Sequence, residues 1–186
     1  MISIPRRGLL GIALFCSGLS ASSYAAEPYT LDGKDLTFSR QQIAAKDPLF
    51  VQAQAALQKK ADLALKHPLF SVMDKTLVAA SGDKHDYYSF PPYWWPNPDT
   101  KDGLPYIRKD GQTNPDANSD ATDKNRLVKM SNDVSTLALA WYFTQDNRYA
   151  QKAAAQLKSW FIDPQTRMNP NLQYAQAIPG INTGRG

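Results

Sequence analysis

One cysteine and two histidines are all that this 186-residue sequence offers of either type. The cysteine, Cys16, falls in a leader expected to be removed, so the mature chain can form no disulfide and use no thiol. His67 and His85 stand apart, without the spacing that builds a zinc site. No metal or cofactor is therefore expected. No apolar run is long enough to anchor the chain in a bilayer; residues 9–19 come nearest and are too short. No basic stripe marks a nucleic-acid surface. No window alternates apolar and polar residues with the period of a strand, which argues against a sheet-based core.

What is present begins with the leader. In "MISIPRRGLLGIALFCSGLSASSYA", Arg6 and Arg7 precede the apolar run, and small residues follow. This is the three-part pattern of a secretory signal, with cleavage expected after Ala25. Phe15 before Cys16 speaks against lipidation. The mature protein, residues 26–186, is expected in the periplasm or outside the cell, with no membrane anchor. Loss of Arg6 and Arg7 lowers the formal charge from +4 to +2. A mildly basic surface suits an anionic polymer.

Residues 26–47 read as a polar lead-in with a short helical start after Ser39. A helix is expected from Pro48, with Asp47 as its cap. Its apolar residues Leu49, Phe50, Ala53, Leu57, Ala61, Ala64 and Leu65 recur at helical spacing, and Pro68 ends it. His67, at that end, is expected to cap the helix C-terminus. Two further helices follow late in the chain. One carries Leu127, Met130, Val134, Leu137, Ala138, Trp141 and Tyr142 on its apolar face. The next is capped by Asp146 or Asn147 and carries Tyr149, Ala153, Leu157, Trp160 and Phe161. The link near residues 144–147 is so short that the two must form an antiparallel hairpin. Residues 172–178 read as partly helical. The fold class is all-α.

Between these helices, residues 81–123 are rich in proline, glycine, aspartate and asparagine, the residues of turns. A long irregular segment in a compact domain is commonly functional. This one contains "HDYYSFPPYWWPNPD", too aromatic to be disordered. Tyr93, Trp94 and Trp95 are candidates for stacking on sugar rings, held stiff by prolines. The alternative is that Trp94 or Trp95 fills the core.

The segment "SGDKHDYYSFPPYWWPNPDTKDGLPYIRKDG" resembles the signature loop of the alginate lyase family of polysaccharide lyases. The later motifs "RMNPNLQYAQAIPG" and "NTGRG" are similar to the same family, in the same order. The resemblance spans about residues 70–186. It implies an incomplete α/α barrel, or toroid, of antiparallel helical hairpins around a groove. It implies an anionic polyuronate of alginate or glucuronan type as substrate, and β-elimination as the reaction.

That reaction removes the C5 proton of a uronate and expels the C4 oxygen. The uronate carboxylate must first be neutralised, by a metal or by donors such as Asn, Gln or Arg. A base and an acid must then act, commonly Tyr and His. Asn182 and Arg185 are candidates for the neutralising role, although an Asn–Gly loop can serve the backbone alone. His85 beside Asp86 is a candidate for proton transfer, or for a loop hydrogen bond. Tyr174 could face groove or core. The family's Asn-Asn-His motif has no counterpart here, so the chain reads as the N-terminal portion of such a lyase, with the acid–base pair expected beyond Gly186. The competing readings are a non-catalytic periplasmic polyuronate-binding protein, an inactive lyase fragment and a helical scaffold.

Overall fold

The computed structural model describes residues 31–185. The expected signal and Cys16 lie outside the described residues. Among the described residues four α-helices supply the frame: α1 (Gly33–Ala44), α2 (Pro48–Lys66), α3 (Lys124–Thr144) and α4 (Asn147–Phe161). The helix-rich architecture agrees with the all-α expectation. The described residues also hold one two-stranded antiparallel ladder, β1 (Trp94–Trp95) against β2 (Ile107–Arg108), with Trp94 opposite Arg108 and Trp95 opposite Ile107.

α1 corrects the expectation of a start after Ser39. Asp32 accepts a hydrogen bond from the Lys34 N–H at 2.7 Å, and this cap begins the helix at Gly33. α2 begins as expected, with Asp47 capping the Leu49 and Phe50 N–H groups. His67 occupies the C-cap position through its backbone, but its ring turns to α3. There Nδ1 meets the Asp133 carboxylate at 2.8 Å. α3 and α4 form the expected hairpin. Gln145 takes a left-handed φ of 59° to close α3, and Asp146 caps α4 by accepting from the Arg148 N–H.

Among the described residues the core has two apolar clusters. In one, Ala61 and Ala64 of α2 pack with Leu137 and Ala140 of α3 and Tyr149 and Ala153 of α4. Small residues on α2 let the three helices approach closely. The Tyr149 hydroxyl donates to Asp62 at 2.8 Å, so the one polar atom of that layer is satisfied. In the other cluster, Val72, Tyr87, Met130 and Trp160 join the loops to the hairpin.

The face of α4 differs from the expected one. Leu157 and Phe161 are exposed, while Gln156 and Ser159 are buried. Their burial has a clear cause. The chain leaving α2 is irregular, and its backbone groups need partners away from water. Gln156 accepts from the Phe70 N–H and donates to the Pro68 carbonyl, and Ser159 donates to the Phe70 carbonyl. The expected helix over 172–178 does not form: residues 173–176 are turns, and Ile178 pairs with Asn182 in an isolated antiparallel bridge.

Candidate functional site

The irregular segment is anchored at its root by a buried ion pair. Lys75 Nζ lies 2.9 Å from Asp123 Oδ2, and both side chains are fully buried. The ammonium also donates to the carbonyls of Val72 at 2.8 Å and Lys84 at 2.6 Å. Asp123 Oδ2 accepts from the Tyr88 N–H, and the Asp123 N–H donates back to the Tyr88 carbonyl. Burial pushes the Asp123 carboxyl up and the Lys75 ammonium down, against the stabilising pull that each exerts on the other. The pair fixes where the aromatic loop leaves the start of α3.

A second set of contacts joins the two loops that the sequence singles out. Asp86 accepts from Ser81 at 2.6 Å and from the Asn169 side chain at 2.9 Å. Burial works against the Asp86 carboxylate, but the donors Ser81, Asn169 and Asn171 outweigh it and hold the group below its ordinary range. His85 belongs to this junction. Its Nδ1 lies 2.7 Å from the Arg167 carbonyl, a geometry that assigns the ring proton to Nδ1. The structure thus gives His85 a loop hydrogen bond.

Beyond the junction the backbone straightens, and Asn114 holds it. Its side chain donates to the Trp94 carbonyl at 2.8 Å, and its N–H donates to the Pro92 carbonyl at 2.7 Å. The two tryptophans then part, as neighbours on a strand must. Trp94 turns to a cavity. Trp95 turns away, donating from Nε1 to the Gln112 carbonyl at 2.9 Å, with Lys109 Nζ 5.5 Å from its ring centre.

That cavity has a volume of about 390 Å³. Pro91, Pro92, Tyr93 and Trp94 form one wall, and Arg108, Gln176 and Arg185 complete it. A hollow of about 320 Å³ shares Gln176 and Arg185 and continues over Leu172 and Ala175. Another, of about 300 Å³, shares Pro92 and Gln176 and extends past Phe90 to Lys124. The three hollows adjoin at these shared residues, and the groove they outline carries aromatic side chains and three cations, Arg108, Arg185 and Lys124. Among the described residues Arg108 pairs with Asp110, in an exposed pair that engages its Nε.

The placing of Arg185 depends on Gly184. A Cβ on Gly184 would overlap the Gln173 carbonyl oxygen and come within 2.6 Å of the Tyr174 Cα. Without one, the chain lies flat on that segment, and the Arg185 N–H donates to the Ala175 carbonyl at 2.8 Å. Of the sequence candidates, Tyr93, Trp94 and Arg185 share the groove. Asn182 lies in a turn, where its Oδ1 accepts from the Ile178 N–H at 3.1 Å. Trp95, His85 and half-buried Tyr174 are not among the groove-lining residues.

Sequence reasoning passed over Arg108, Lys124 and Gln176 as site residues. Arg108 was legible only as one charge in a turn-rich stretch, and its partner strand brings it to Trp94. Among the described residues no cluster of three or more His, Cys, Asp or Glu could hold a metal ion. None of their helices is long and apolar enough to cross a membrane.

Against this geometry stand the likenesses to known proteins. The family model described as Alginate lyase matches residues 71–186. A crystal structure of an alginate lyase from Bacteroides ovatus superposes with a TM-score of 0.76 at 53% sequence identity, over 81% of this chain and 39% of that one. The chain therefore spans about two fifths of the length of that protein. None of the curated proteins matches.

Proposed function

The chain belongs to the alginate lyase family, and on that premise we propose that its groove binds an anionic polyuronate, of alginate or glucuronan type, for cleavage by β-elimination. The observation that carries this reading is the convergence of Arg108 and Arg185 on the cavity walled by Tyr93 and Trp94. An aromatic face suits the apolar side of a sugar ring. Guanidinium groups suit carboxylates and can engage them bidentately.

The chemistry follows from that pairing. Transfer of the C5 proton to a base places negative charge next to a carboxylate that is already negative. Donors held beside that carboxylate stabilise the charge as it develops. Expulsion of the C4 oxygen, which takes up a proton from an acid, then breaks the glycosidic bond and leaves a C4–C5 double bond on the new chain end. Arg108, Arg185 and the Gln176 amide are the groove's donors for the first of these tasks.

We place the helices in an incomplete α/α barrel, a reading supported by the α3–α4 hairpin and by apolar side chains left outward on three helices, among them Leu63, Val128 and Phe161. We place the mature protein in the periplasm or outside the cell, on the strength of the leader.

Binding without turnover is favoured by one observation. Both histidines are engaged away from the groove, His67 with Asp133 and His85 with the Arg167 carbonyl. Calorimetry with alginate, glucuronan and a neutral glucan tests the shared part of the two readings. Affinity for a polyuronate that falls with added salt is expected. Equal affinity for the neutral glucan refutes it. Ultraviolet absorbance of unsaturated uronate ends, followed in the same mixtures, separates cleavage from binding alone.

A further inference from the structure

We infer that Gln176 is a substrate-contacting residue that bridges two neighbouring sugar subsites of the groove, an inference that rests on the polyuronate reading above. Gln176 lines all three hollows. It shares one hollow with Arg108 and Arg185 and another with Lys124. Cations in two hollows that have one residue in common match a polymer that repeats a carboxylate on every sugar.

The backbone of Gln176 is unusual. Its φ is 54°, in the left-handed region where a side chain is disfavoured and glycine is not. The conformation is imposed by Ser89, which is buried. The Gln176 N–H donates to Ser89 Oγ at 3.0 Å, and the next N–H, of Ala177, donates to the Ser89 carbonyl at 2.9 Å. Ser89 lies two residues before the Pro91–Pro92 step, so the strained residue and the aromatic wall are held by one piece of chain.

Glycine would suit this turn better than glutamine, so the side chain is not there for the turn. Gln176 is exposed and lines the groove. A primary amide carries two donor hydrogens and an acceptor oxygen. It can donate to a uronate carboxylate on one side and accept from a sugar hydroxyl on the other. It does so without a charge that would repel the polymer.

Gln176→Gly tests the inference because strain and contact pull in opposite directions. The variant is expected to melt at or above the temperature of the parent chain, since it relieves the left-handed strain. Its Kd for a tetrauronate is expected to rise roughly tenfold, the loss of hydrogen bonds to a charged ligand. Its Kd for a single uronate, which fills one subsite, should rise less. Gln176→Glu should lose more affinity for the tetramer than Gln176→Gly, through like-charge repulsion. A parent chain that binds the tetramer while Gln176→Gly binds it within twofold as well overturns the inference and leaves the polyuronate reading standing. A parent chain that binds no polyuronate removes both.

Discussion

Replacing Lys75 by methionine should bring the chain close to unfolding. Methionine keeps the unbranched apolar stem, one atom shorter, but removes the three donor contacts of the ammonium, to the Val72 and Lys84 carbonyls and to Asp123. Asp123 would keep the Tyr88 N–H as its hydrogen-bond donor on Oδ2, while Oδ1 has no hydrogen-bond partner among the described residues. Breaking a buried pair from one side costs about 3–5 kcal/mol, because the charge left behind is uncompensated. A domain of this size has about 5–15 kcal/mol in total. Urea unfolding followed by tryptophan fluorescence measures the loss. The pH dependence tests the cause. Burial already raises the Asp123 carboxyl above its ordinary 3.8. A carboxyl whose folded pKa lies above its unfolded one weakens the fold as pH rises past the unfolded value. The Lys75→Met penalty should therefore be largest near neutrality and shrink on acidification, as Asp123 takes up a proton. Lys75→Met/Asp123→Asn should recover part of the loss at neutral pH. A Lys75→Met penalty below about 1 kcal/mol at pH 7, or one that does not vary with pH, would refute the argument from an uncompensated buried charge.

Three further outcomes follow from the site. Trp94→Ala should weaken polyuronate binding with little change in melting temperature, whereas Trp95→Ala, which loses its bond to the Gln112 carbonyl, should leave affinity nearly unchanged; calorimetry and thermal melts on both variants decide it. Asp86 is held below its ordinary 3.8 in the folded chain, so the stability it contributes is present above that value and is lost as pH falls through the lower folded one; Asp86→Asn should flatten acid unfolding followed by circular dichroism. Gly184→Ala places a methyl group against the Gln173 carbonyl and should destabilise by about 1–3 kcal/mol while loosening Arg185, read as a lower melting temperature together with weaker polyuronate binding.

Much of the fold was open to reading because helices are local. Apolar residues three and four apart, and caps such as Asp47 before Pro48 and Asp146 before Asn147, act through bonds to near neighbours. They placed α2 and the α3–α4 hairpin close to their observed bounds. α1 began earlier than expected because Asp32 caps it, a signal present in the sequence and passed over. The face of α4 was misjudged for a different reason. Gln156 and Ser159 are polar, and periodicity counts them as outward; only the unpaired backbone of residues 68–70 explains why they point inward.

The site divides in the same way. Residue types and their order, from the aromatic loop to "NTGRG", sufficed to suggest the family, since such motifs are carried by the chain itself. Which rings and charges share the groove was decided by contacts between distant segments. The parity of a two-residue strand, set by pairing with residues 107–108, sends Trp94 to the cavity and Trp95 away from it. The same pairing delivers Arg108. Ser89 imposes the left-handed turn at Gln176, and the bare backbone at Gly184 lets Arg185 close the far wall. By itself the sequence determined the helices and the kinship, because both depend on near neighbours along the chain. The tertiary structure alone decided the groove, because its walls come from segments that meet only when buried carbonyls, amides and the Lys75–Asp123 charges find their partners.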